Sequence, residues 1–213
     1  LMDVRVRKAI SLAINRDTMV SKVMENIAVK AGQLLPKGFH GVSPNMKPDP
    51  YDTKMAKKLM ADAGYPDGFK MTIHGPNDRY INDAKIAEAL AQMLNRVGID
   101  ASVETMPKAV YFKRASRGGP NKSPEFSFML LGWGAGSGEA SSPLKALLHT
   151  YDKSKGMGAA NRGRHTDAKV DALIQKALAT VDADARGKLL AEATEKAVGE
   201  NYGVIPMHYQ VNT

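Results

Sequence analysis

Residues 69–105 limit the fold more than any other stretch. Phe69–His74 has the composition of a short strand and is predicted to break at Gly75-Pro76. From Asn82 to Val97, Ile86, Ala89, Leu90, Met93 and Leu94 recur at helical spacing, and Gly98 stops the pattern. Ile99–Thr105 then returns to strand-like composition. A helical crossover between two strands makes them parallel, so the expectation is an α/β chain with a βαβ sheet flanked by helices.

A third strand, buried on both faces, is expected at Phe126–Leu131, six residues that are apolar except for Ser127. It runs into Gly132, the single Trp at position 133, then Gly134, Ala135, Gly136, Ser137, Gly138 and Glu139. Glycines let backbone approach a ligand or another surface, and in open α/β sheets ligands sit where loops leave the carboxyl ends of strands. Trp133, Gly134, Ala135, Gly136 and Glu139 are therefore candidate binding residues. The competing expectation buries Trp133 in the core and leaves the glycines as a turn.

The remaining chain reads mostly as amphipathic helices. Asp3–Asn15, with Asp3 as N-cap, and a short helix from Asp17 lead into a segment broken by Pro36, Pro44, Pro48 and Pro50. Helices follow at Asp52–Ala63, closed by Gly64, and at Pro107–Arg117, Ser142–His149, Asp167–Thr180 and Asp182–Gly199, with a last strand at Tyr202–Val211. The expectation is a single α/β lobe over 1–213, with residues 1–50 as a helical and loop layer and 51–213 as the α/β body.

Several function classes are disfavoured. The formal charge is +8, but basic residues lie among acidic ones in helical segments, and the 6% of aromatic residues do not interleave with a basic patch, so nucleic acid is not an expected partner. There is no Cys, and the five His form no close pair, so neither a metal nor another cofactor is expected. A serine hydrolase would need Ser137 or Ser141 beside a His; Gly136-Ser137-Gly138 only half matches a nucleophile elbow, with Ala135 where that motif needs glycine. No run approaches a membrane span, and the start, LMDVRVRKAI, lacks signal-peptide order and falls inside an apparent helix, as an excised piece of a longer chain would.

Recognition remains. Arg79 and Tyr80 lie between the first strand and a helix N-terminus, which favours anions, and arginine presents a planar fork suited to carboxylates. Asn161, Arg162 and Arg164 form a second basic loop. The alternatives are that Asp78 or Asp83 neutralises Arg79, and that Arg162 and Arg164 are simply solvated.

The ordered segments DVRVRKAISLAINRD, YDTKMAKKLMADAGYPDGFKMTI, IAEALAQMLNRVGIDASVE, LLGWGAGSGEASSP, NRGRHTDAKVDALIQKAL and VIPMHY resemble the family 5 extracytoplasmic solute-binding proteins of ABC importers, the peptide- and nickel-type group. The resemblance covers nearly the whole chain. It implies one lobe, the C-terminal one, of a two-lobed type II periplasmic-binding-protein fold. It also implies capture of a peptide or peptide-like, amino-acid-derived solute between lobes for a membrane permease, in a periplasmic or membrane-attached setting, without catalysis. The implied partners are the solute, the permease subunits and the missing N-terminal lobe. A protein-interaction or signalling lobe is the alternative. In the peptide-binding members an Asp in the Gly-Trp loop usually takes the peptide's α-amino group. That position falls at Gly136 here, which favours a ligand with carboxylate or other anionic groups.

Overall fold

The computed structural model describes residues 1–211. Its contacts divide the described residues into two compact units: Leu1–Lys30, Asp49–Gly132 and residues 210–211 in one, and Ala31–Pro48 with Trp133–Tyr209 in the other. Residues 1–50 thus contribute to both.

The first unit begins with α1 (Val4–Ala13), capped as expected by Asp3, whose carboxylate accepts the Arg5 N–H. One face buries Val6, Ala9, Ile10 and Ala13. A three-residue helix α2 (Arg16–Thr18) continues in wider turns over Met19–Val23, and β1 (Ala28–Lys30) follows. Arg16 is buried at 4% exposure, where its guanidinium reaches the Ser11 carbonyl at 3.1 Å and the Ser11 hydroxyl at 2.9 Å. α3 (Thr53–Asp62) starts at its Asp52 cap and packs on α1.

The βαβ unit forms as predicted. β2 (Lys70–Pro76) and β3 (Asp100–Met106) pair in parallel, from Lys70 opposite Asp100 to Pro76 opposite Met106, and α4 (Asp83–Asn95) buries Ile86, Ala87, Leu90, Met93 and Leu94. The turn into β2 requires Gly68: its φ is +76°, and a Cβ there would sit 1.7 Å from the Gly98 carbonyl oxygen. β2 does not break at Gly75-Pro76. In a parallel ladder both polar groups of a residue face the same neighbour, and those of Pro76 face away from β3, so the missing N–H costs that pairing nothing.

α5 (Lys108–Arg117) buries Tyr111 and Ala115 against Met106 and Phe126. The expected strand at Phe126–Leu131 is corrected. The segment is extended and lies parallel to β2, but it makes one bridge only, His74 with Met129: His74 N–H donates to the Phe128 carbonyl at 3.1 Å, and Leu130 N–H to the His74 carbonyl at 2.8 Å. Phe126 and Leu130 are buried while Ser127 is exposed, so it is not covered on both faces. Pro76 explains why pairing stops. The next bond would run from its absent N–H to the Leu130 carbonyl; that oxygen instead accepts the Tyr111 hydroxyl at 2.5 Å.

In the second unit, α6 (Ser141–Pro143) runs on as wider turns over Leu144–Leu148. α7 (Ala168–Ala179) and α8 (Ala183–Thr194) pack as a pair, with Ile174, Ala177, Leu190 and Ala193 buried, and each is capped by an Asp, at 167 and 182. The Pro-rich segment is ordered by side chains. Gln33 exchanges two 2.9 Å hydrogen bonds with the Ser43 backbone, and Glu195, which follows α8, accepts from Ser43 Oγ and Asn45 Nδ2. The final expected strand shrinks to β4 (His208–Gln210).

Candidate ligand site

At the carboxyl end of β2, the 77–82 loop is organised by Asp83. Its buried carboxylate accepts the N–H groups of Arg79 at 2.9 Å, Tyr80 at 3.0 Å and Ala84 at 2.9 Å. The anion-favouring start of α4 is therefore occupied by its own side chain. Asp78 is engaged elsewhere, accepting the Lys108 N–H at 2.6 Å. Neither carboxylate neutralises the Arg79 guanidinium, which lies over the Tyr80 ring, 5.1 Å from its centroid. Tyr80 in turn lies against Gly132, its hydroxyl donating to the Gly132 carbonyl at 3.3 Å; a Cβ at 132 would stand 2.6 Å from the ring. Gly132 is needed for this close approach, so the first unit brings Arg79, Tyr80 and the start of the Gly-Trp loop together.

In the second unit Trp133 is 40% exposed, which overturns the core alternative. Gly134 and Gly136 are exposed with open space where a Cβ would be, Ala135 is half-buried, and Gly138 N–H closes a turn onto the Ala135 carbonyl at 3.0 Å. The far stem is pinned: His40 N–H donates to the Gly138 carbonyl, and Ala140 N–H to the His40 carbonyl, each at 3.0 Å. Glu139 is not available at the tip. Its carboxylate accepts the Ser141 hydroxyl and lies 3.3 Å from Arg186 Nε on α8. Residues 133–138 thus present an aromatic ring and backbone, with no ionisable side chain.

The loop from Tyr151 to Thr166 is braced from inside. Asn161 is 2% exposed; its amide donates to the His149 and His165 carbonyls at 3.0 and 2.7 Å and accepts the His165 N–H at 3.0 Å. These bonds hold its side chain inside the loop, so Asn161 shapes the loop's surface from beneath. Arg162 is half-buried, and Arg164 is exposed, with φ +52° and its guanidinium over the Tyr151 ring at 4.2 Å. Beneath them His149, 3% exposed, takes a hydrogen bond at Nε2 from Gln175 at 2.9 Å, which makes Nδ1 the protonated nitrogen facing the Thr150 carbonyl at 2.7 Å. Sequence reasoning missed Tyr151, Arg186 and His40, because their partners are remote in the chain or are backbone atoms.

Among the described residues no group of His, Asp and Glu could hold a metal ion, and no helix is long and apolar enough to cross a membrane. Residues 1–155 match the family model described as bacterial extracellular solute-binding proteins, family 5 Middle. The chain belongs to this family. Family 5 solute-binding proteins are extracytoplasmic binding proteins, not enzymes, and the serine-hydrolase alternative falls with that membership.

This family 5 chain is 27% identical over 197 residues to heme-binding protein A of Haemophilus influenzae, covering 90% of this chain and 34% of that protein. It is 28% identical over 193 residues to the glutathione-binding protein GsiB of Salmonella paratyphi A, covering 90% of this chain and 36% of that one. Among solved structures, the periplasmic binding protein DppA from Helicobacter pylori in complex with the peptide STSA superposes with a TM-score of 0.86 at 28% identity, over 98% of this chain and 38% of that one. The fold is that of type II periplasmic binding proteins. This family 5 chain spans about a third of the length of the curated relatives it matches.

Proposed function

We propose that this chain is one lobe, the C-terminal one, of a two-lobed solute-binding protein of an ABC importer. It supplies one wall of an interlobe cleft that captures a peptide or peptide-like, amino-acid-derived solute outside the cytoplasm and delivers it to a membrane permease. The carrying observation is the Gly-Trp loop. In the second unit His40 pins its far stem, while an exposed Trp133 and open backbone at Gly134 and Gly136 are left for a ligand. Relatives named for glutathione and peptide binding support a peptide-like solute, and the relative named for heme supports small-solute capture in general.

The loop has no carboxylate for an ammonium group, since position 136 is glycine and Glu139 is held by Arg186 and Ser141. An unpaired ammonium enclosed in a cleft costs on the order of several kcal/mol. The solute is therefore one whose recognition rests on anionic and apolar groups. Mass spectrometry of the small molecule that co-purifies with the two-lobed protein tests this. A carboxylate-bearing, peptide-like compound is expected. Tight calorimetric binding of plain peptides that disappears when their amino end is blocked would overturn the charge preference.

A further inference from the structure

We propose that Arg164, laid on Tyr151, is a preformed carboxylate-binding subsite. The proposal deepens the solute-binding reading and rests on it for the identity of the natural ligand. The first observation is charge. Between Tyr151 and Thr166 the basic residues are Lys153, Lys155, Arg162 and Arg164, and the only acid is Asp152. That acid is already engaged: Asp152 accepts the Ser154 hydroxyl at 2.6 Å, the Ser154 N–H at 2.9 Å and the Lys155 N–H at 3.2 Å, and lies 3.8 Å from Lys155 Nζ.

The next carboxylates along the chain are also taken. Asp167 caps α7 and accepts the Asn201 amide at 2.8 Å, and Asp171 accepts the Thr150 N–H at 2.8 Å. Among the described residues, no carboxylate pairs with the Arg164 guanidinium. Arg5 and Arg186 each have one, and Arg114 has two.

The second observation is placement. An unpaired surface arginine ordinarily samples many rotamers, which a ligand must restrict at an entropic cost. Arg164 is instead fixed at three points. Its backbone is in the left-handed region and donates to the Asn161 carbonyl at 3.3 Å, its Nη1 donates to the same carbonyl at 3.1 Å, and its guanidinium lies over the Tyr151 ring, 4.2 Å from the centroid. The base of the loop is held by the fully bonded Asn161 and by the contact of the Thr150 and Thr166 hydroxyls at 2.8 Å.

With Nη1 bonded to the loop, the Nε and Nη2 N–H groups remain as a parallel pair, the geometry that a carboxylate meets with two hydrogen bonds. A contact between the guanidinium and the ring face uses neither of those N–H groups. A single fork satisfies both oxygens of a carboxylate, whereas a phosphate, even when two of its four oxygens meet the fork, leaves the others without donors. Sequence inspection finds the arginine. It does not find its tyrosine support, thirteen positions away in the chain.

The test is a titration of the chain with N-acetylglycine, which carries a carboxylate and no amine, followed through arginine Nε–H signals by NMR. N-acetylglycinamide and inorganic phosphate at matched ionic strength are the comparison arms. The Arg164 signal, assigned by its loss in Arg164→Lys, should shift saturably with N-acetylglycine and stay put with the amide. Tyr151→Phe, which keeps the ring face, should leave the midpoint within about twofold, whereas Tyr151→Ala should weaken it about fivefold. Equal shifts with the amide, equal binding of phosphate, or a shift shared with the exposed Arg79 and Arg96 would overturn the subsite. The transport reading fails separately: a two-lobed protein that binds solute regardless of Arg164→Lys sinks the subsite alone. A protein that binds no solute sinks the transport reading while the local titration still stands.

Discussion

Gly136 and Gly68 carry opposite meanings although both are glycines in turns. At Gly136 the φ is not positive and no atom lies within 4 Å of where a Cβ would stand, so the backbone does not demand glycine there. Gly136→Asp should leave the melting temperature nearly unchanged, since surface changes of this kind cost at most about 0.5 kcal/mol, and should improve binding of free-amine peptides by the two-lobed protein in calorimetry. A weakened or unchanged affinity would place the loop away from the ligand. Gly68→Ala should instead cost about 2 kcal/mol or more in denaturant unfolding, because a positive φ and the Gly98 carbonyl both exclude a Cβ. The two positions cannot be told apart in the sequence, where each is a glycine in a turn; φ and neighbouring atoms separate them.

The extended segment before the Gly-Trp loop is an element that one hydroxyl helps to hold. Tyr111 is fully buried, and its OH supplies the bond to the Leu130 carbonyl that Pro76 cannot. Tyr111→Phe should cost about 1–2 kcal/mol by leaving that carbonyl unsatisfied, and should speed hydrogen exchange at the Leu130 N–H. Unchanged exchange would show that the His74 bridge holds the segment alone. Beside it, Arg114 on α5 ties β3 to this segment, reaching Glu104 at 2.6 Å and Glu125 at 2.5 Å.

The hydrogen bonds from Arg114 hold both carboxyls below their ordinary value of 4.5. A carboxyl with a depressed folded-state pKa stabilises the protein above its unfolded pKa and loses that contribution as pH falls through the folded value. Arg114→Met should therefore flatten the fall of melting temperature below about pH 4.5 relative to the wild type. Parallel curves for the two proteins would remove Arg114 from the acid response. A second acid-sensitive point is the α1 cap, where Arg5 holds the Asp3 carboxyl at about 2 against an ordinary 3.8; its contribution is present above the higher value and lost toward the lower.

At the scale of the whole molecule, a wall without its opposing lobe offers part of a ligand's contacts. The 213-residue chain alone should bind the natural solute no more tightly than about 1 mM, roughly −4 kcal/mol, while the two-lobed protein binds far more tightly. Calorimetry of both proteins with the co-purified solute checks this, and submicromolar binding by the chain alone would contradict the half-site proposal.

Much of this protein is legible from local pattern. The helices, the Asp3 cap of the first and the parallel βαβ unit follow from short-range periodicity and capping chemistry, which a linear text records. The ordered motifs likewise placed the chain in its family. Contacts between residues far apart in the chain leave no such trace. That Leu130 turns to Tyr111, that Glu139 is consumed by Arg186, and that Arg164 rests on Tyr151 all depend on which backbone atoms lack a partner once the chain has packed. Hydrogen bonding and charge pairing are satisfied in three dimensions, so the groups left over for a ligand emerge only after folding has claimed the rest.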